Sequence, residues 1–283
     1  MIISLLVDVE SIMDELAGGL VDDGERSEPL SPVERLDTAF TRYVYEHDYS
    51  GASLGVMYGD RLVYADGRGY IHGQEVSGAS DVVLILGLSK PITAAGIMKL
   101  VESGALDLDW KVFGPRGILS ESTGPDGFIV DPAVEEITVC HLLHHTAGWD
   151  ETKGPVYDPM HNHILINSDI PVVNIKEALG LKEGEPDQFD ILTFMLGQPL
   201  DSLPGTRAKP SNFGYSMLGR VIEEITGLPY EYWIKKNILE PAGMWHTRIG
   251  PSASMVTSLI IIFIFMKEIK SQHSWELYSG HDN

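Results

Sequence analysis

At 283 residues and 31.2 kDa, the chain can build one large hydrophobic core or two small ones. With 43% apolar and 22% charged residues it is an ordinary globular mixture, which excludes disordered, collagen-like and coiled-coil proteins. A formal net charge of -21, from 20 Lys plus Arg against 41 Asp plus Glu, repels a phosphate backbone and argues against nucleic acid as a partner.

The chain opens on an apolar run, Met1 to Val7, without a basic n-region and followed at once by Asp8, Glu10, Asp14 and Glu15. That is unlike a signal or transit peptide. Residues 1–30 read as an acidic, partly flexible segment, with Gly and Pro marking a connection over 21–32. A first amphipathic helix is expected from Ser31, a suitable N-cap before Pro32, to about His47, with Val33, Leu36, Phe40 and Val44 at helical spacing. Residues 52–58 and 61–66 then lean to β structure around Gly59-Asp60, a dipeptide suited to a tight hairpin.

From Gly87 to Ser103 the chain is apolar on most faces and stops at Gly104, which predicts a buried helix with Pro91 tolerated in its first turns. A short helix should run from Thr138 as N-cap to about His145. Residues 151–189 alternate Pro, Gly, Asp and Asn with short apolar pieces, the pattern of a long loop with room for a brief helix. Asn212 to Thr226 carries an apolar stripe and stops at Gly227, and Pro229 opens a further helix with Tyr230, Trp233, Ile234 and Ile238 inward. Early strands followed by helices give an α+β fold class. The apolar run 255–266 spans about 18 Å as a helix, well short of a bilayer core, so membrane contact there is disfavoured and a strand or an assembly edge fits its Ile and Phe content.

Four stretches, 58–64, 88–109, 137–150 and 211–223, together with Leu239 to Met244, resemble in order the β-lactamase-related serine hydrolases, a family of class C β-lactamases, penicillin-binding-protein-like peptidases and esterases. The resemblance implies a β-lactamase/transpeptidase-like antiparallel sheet with helices over residues 31–250. It implies an ancestral acyl-enzyme hydrolysis of a small ester, amide or lactam, with no cofactor. The family's first motif is Ser-x-x-Lys, in which one helical turn sets the serine hydroxyl beside a lysine able to accept its proton. Here it reads Gly87-Leu88-Ser89-Lys90. Lys90 is kept and the nucleophile position is glycine; Ser89, one residue from Lys90, points about 100° away around a helix. The second motif, Tyr-x-Asn, reads Pro210-Ser211-Asn212: Asn212 is kept and the phenol is not. No Lys-Thr-Gly or His-x-Gly strand is found beyond residue 250, and Ser279-Gly-His281 is not one.

The expectation is therefore a catalytically impaired member whose retained positions are Lys90 and Asn212, with residues 251–283 a divergent tail and the closing strands missing. An active hydrolase using another nucleophile or a Lys90-activated water is the first alternative. A binding or self-assembling module is the second. Gly51-x-Ser53-x-Gly55 matches a nucleophile elbow, but a helix precedes it and a hairpin follows, so a glycine-flanked strand is favoured. His141, His144 and His145, with His161 and His163, lack a His-Glu-x-x-His arrangement and are read as scaffold, with no metal expected. Cys140 is the single cysteine, so no internal disulfide or Cys-rich metal site is available, which fits a reducing compartment such as the cytoplasm.

Overall fold

The computed structural model describes residues 31–49, 51–58, 61–71, 74–75, 85–120, 129–151, 155–158, 163–166, 188–249 and 259–266. The acidic segment 1–30 and residues 267–283 lie outside them. The chain divides into two compact units, residues 1–86 with 256–283, and residues 87–255.

In the first unit α1 (Pro32–Glu46) begins where a capping box forms. Ser31 Oγ accepts the Glu34 N–H at 3.3 Å while the Glu34 carboxylate accepts the Ser31 N–H at 2.8 Å. One face of the helix buries Ala39, Phe40 and Val44. Strands β1 (Gly51–Tyr58) and β2 (Arg61–Ile71) pair antiparallel with Tyr58 opposite Arg61, so Gly59 and Asp60 alone join them, as the sequence predicts. Ala52, Leu54 and Val56 alternate along β1 and pack with Phe40 and Val44. Beside this small core, Arg68 bonds Asp66 through Nη1, Asp37 through Nη2 at 3.0 Å and Thr41 through Nε at 3.2 Å. Tyr64 donates its hydroxyl to Asp37 at 2.6 Å, and burial together with that carboxylate pushes the phenol's pKa above the ordinary range. The two-residue β3 (Gln74–Glu75) extends the sheet beside β2.

The second unit holds the larger core. A 3₁₀ turn, Leu86–Leu88, leads into α2 (Ser89–Glu102). Gly87 thus sits in that turn rather than in the helix proper. The helix ends at Ser103, one residue before Gly104, which takes φ 74°. Thr138 caps α3 (Val139–Leu143), accepting the His141 N–H at 3.2 Å. Within the stretch expected to be a loop, β4 (Pro155–Asp158) and β5 (His163–Ile166) form an antiparallel pair, and α4 (Gln188–Leu196) follows. Six of the eight residues Phe189 to Leu196 are apolar, Asp190 and Thr193 excepted, so the amphipathic contrast that marks a helix is weak; Ile191, Leu192, Phe194, Met195 and Leu196 are all buried. Next, α5 (Asn212–Thr226) starts at the Ser211 cap, and Gly227 closes it at φ 65°. It buries Phe213, Met217, Leu218, Val221 and Ile222. Finally α6 (Tyr230–Ile234), opened by Pro229, widens into a π-type turn over Lys235–Leu239.

The last described strand, β6 (Leu259–Met266), belongs to the first unit and pairs parallel with β1, giving a sheet of order β3-β2-β1-β6. The α+β class and the antiparallel strands agree with expectation; the parallel addition was not foreseen. On the side of β1 away from β2, β6 pairs with the backbone N–H and C=O groups, and a run rich in Ile and Phe is a natural partner for such an edge. Among the described residues no helix is long and apolar enough to cross a membrane.

Candidate functional site

The site grows from two helix beginnings. The first turn of α2 carries Lys90, half-buried, and the first residue of α5 is Asn212. Lys90 Nζ donates to Asn212 Oδ1 at 2.7 Å across 122 residues of sequence, so the two retained positions meet. Ser211 directs its buried hydroxyl to the Gly214 N–H at 3.1 Å, which fixes the start of α5 and with it the Asn212 amide.

Around this pair the chain supplies three further groups. Glu151 Oε1 accepts the Asn212 backbone N–H at 2.6 Å. The Ser211 N–H donates to His145 Nδ1 at 3.1 Å, so that nitrogen carries no proton while the bond is made. Tyr215 lies with its ring centroid 6.0 Å from Lys90 Nζ and 4.8 Å from the His145 ring, and its hydroxyl donates to the Leu143 carbonyl at 3.1 Å. The turn that positions His145 needs its glycine: Gly148 has φ 114°, and a Cβ there would lie 2.4 Å from the Ser202 carbonyl oxygen.

The electrostatics follow from burial. Desolvation lowers the Lys90 pKa, an effect that the Glu151 carboxylate opposes. Burial likewise lowers His145, helped by the neighbouring Lys90 cation. Glu151 is raised by burial, against the Asn212 N–H and Lys90, both of which favour its charged form. The result is an amine less ready to hold its proton, next to an amide, with a half-buried carboxylate behind both.

What the geometry lacks is a hydroxyl one turn before Lys90. Gly87 is exposed, and a Cβ built there meets no atom within 4 Å. Ser89 is exposed as well, and its carbonyl accepts from Thr93 Oγ1 at 3.2 Å. Pro210 precedes Ser211 and offers neither a phenol nor an N–H. The other motifs lead elsewhere. Ser53 sits mid-strand in β1, opposite Gly67 on one side and Ile261 on the other, with no turn to make it an elbow. His141 Nδ1 accepts the Thr138 N–H at 3.2 Å and His144 Nδ1 bonds the Cys140 carbonyl at 3.0 Å, so together with His145 the three imidazoles serve three different backbone groups. His161, Ser279 and His281 lie outside the described residues. Glu151 and Tyr215 were not singled out from sequence; Glu151 directly follows the 137–150 stretch that carries the resemblance, and Tyr215 lies within the 211–223 stretch.

The profile of the Beta-lactamase family matches residues 36–258. The chain belongs to that family. Its relatives include Penicillin-binding protein 4* of Bacillus subtilis, 28% identical over 219 residues, which cover 76% of this chain and 41% of the relative. Esterase EstB of Burkholderia gladioli is 26% identical, with 76% of this chain and 50% of the relative covered. Among solved structures, the octameric penicillin-binding protein homologue from Pyrococcus abyssi superposes with a TM-score of 0.55 at 28% identity, over 76% of this chain and 44% of that one. The chain spans between about two fifths and one half of the length of these curated relatives. The match places the chain in the β-lactamase-related serine hydrolase family, with the α+β architecture described above.

Proposed function

We propose that this chain is a catalytically impaired β-lactamase-related domain, whose cleft keeps the lysine and asparagine of an acyl-transfer site without its nucleophile. The observation that carries the reading is Gly87: one turn before a half-buried Lys90 stands a hydrogen atom where an attacking oxygen is needed. Lys90 has lost the proton donor it would serve as base and instead rests on Asn212 Oδ1. Pro210 removes the phenol of the second motif, so proton delivery to a leaving group is also unsupported. Loss of the nucleophile alone lowers acyl-transfer rates by about 10⁴–10⁶. The ligand class that suits the retained amine and amide is a small ester, amide or lactam, bound without being opened.

Incubation with a chromogenic cephalosporin and a short-chain nitrophenyl ester tests this reading. The expected outcome is no turnover above that of Lys90→Ala, and an intact protein mass after exposure to a β-lactam. Robust turnover that disappears in Lys90→Ala, or a covalent adduct on any side chain, overturns it.

A further inference from the structure

Between α3 and β4 the chain passes Trp149 and Asp150, both buried, before it reaches Glu151. The Asp150 N–H donates to Asp201 at 2.9 Å and its carboxylate lies 3.4 Å from Lys209 Nζ, so residue 151 leaves an anchored backbone. From there its carboxylate reaches the Asn212 N–H at 2.6 Å, one of the amides that the first turn of α5 leaves without an intrahelical acceptor. A helix N-terminus also favours negative charge. Asn212 in turn accepts from Lys90, so carboxylate, amide and amine stand in series: Glu151, Asn212, Lys90.

We infer that Glu151 is a positioning residue of this site, holding Asn212 in place at the head of α5 and supplying a counter-charge to the Lys90 amine that Asn212 also binds. Among the described residues, the groups beside the pair leave that task to Glu151. His145 is neutral while its Nδ1 accepts the Ser211 N–H, Tyr215 keeps its proton on the Leu143 carbonyl, and Asp150 is engaged by Lys209. Among the described residues, the opposite charges joined through Asn212 are Glu151 and Lys90, and the burial of both strengthens their attraction over that of a surface pair. In an acyl-transfer site a lysine serves as base only when neutral. A carboxylate placed here opposes the proton loss that burial of the amine favours, and this deepens the impaired reading without depending on it.

Competitive acetylation of the full chain with acetic anhydride, read lysine by lysine with mass spectrometry across pH 6–10, tests the inference. Glu151→Gln keeps an acceptor for the Asn212 N–H and removes the charge. Lys90 should then label about three to ten times faster below its titration midpoint, with Lys99 and Lys236 unchanged as exposed references. An unchanged ratio of Lys90 to Lys99 labelling overturns the inference. The reciprocal measurement uses urea midpoints against pH. Lys90→Met should make Glu151 harder to ionise, so stability falls from pH 5 to 7 in that variant and not in Lys90→Met with Glu151→Gln. Identical profiles in the two variants overturn it equally. Both readouts need no turnover, so their failure would leave the absence of a nucleophile untouched.

Discussion

The two units bury apolar side chains on very different scales. In residues 87–255, buried side chains from α2 through the turn after α6 form one continuous core, with Phe213 set edge-on to Trp149 at 4.7 Å. In the first unit the buried cluster is Phe40, Val44, Ala52, Leu54 and Val56, flanked by the partly buried Leu36, Tyr49 and Tyr64 and by the charged set Arg68, Asp37 and Asp66. The contrast shows where precision is needed. Lys90, His145, Glu151 and Asn212 all leave elements rooted in the large core, whereas the first unit gains its order from a strand ladder and a polar cluster.

Phe213→Ala should strike that contrast hardest. It removes a ring that is 1% exposed, at a cost of about 3–5 kcal/mol in urea unfolding, and it should loosen the head of α5 one residue from Asn212. Leu54→Ala in the smaller cluster should cost less, about 2 kcal/mol. Equal losses would mean that the first unit is as tightly packed as the second. Arg68→Ala comes next, at about 1–3 kcal/mol, because it strips partners from Asp37 and Asp66 together. Its loss should shrink in high salt, a response that Phe213→Ala should not share.

Acidification gives a smaller effect with a definite sign. The folded His145 pKa lies below its unfolded value near 6.5, so the unfolded chain binds more protons between the two. Stability should fall as pH drops through 6.5 toward the folded value, as protonation displaces the Ser211 N–H from Nδ1. His145→Asn, which tolerates the observed φ of 57° and retains an acceptor, should flatten that part of the pH–stability curve. The least effect is expected of Gly87→Ser. Its Cβ enters open space, so stability should stay within about 0.5 kcal/mol of the parent, as read by thermal melting.

Much of this was legible where residue chemistry is local. Ser31 and Thr138 announce helix starts because a side-chain oxygen satisfies an amide three residues on, and Gly227 announces a stop because its left-handed φ disfavours a Cβ. Lys90 and Asn212 were legible through family resemblance, and their 2.7 Å contact joins segments that no periodicity could have linked. Two kinds of feature stayed hidden. The α4 helix is apolar apart from Gln188, Asp190 and Thr193, too narrow a polar face for helical spacing to mark it. Glu151 is one acidic residue among 41 acidic side chains, and only the distance to the Asn212 N–H separates it from a solvated loop carboxylate.

The parallel pairing of β1 with β6 sets an order on synthesis. Gly51 registers with Leu259, so as the chain leaves the ribosome the strand β1 must wait for its neighbour until nearly everything between them has emerged. The contiguous 87–255 segment faces no such delay and can condense while translation continues. Closing a loop of this span costs only a few kcal/mol more than closing a short one, because the entropy grows with the logarithm of length. The burden is therefore one of time: a nascent strand with an unfilled side stands open to wrong partners until its own arrives.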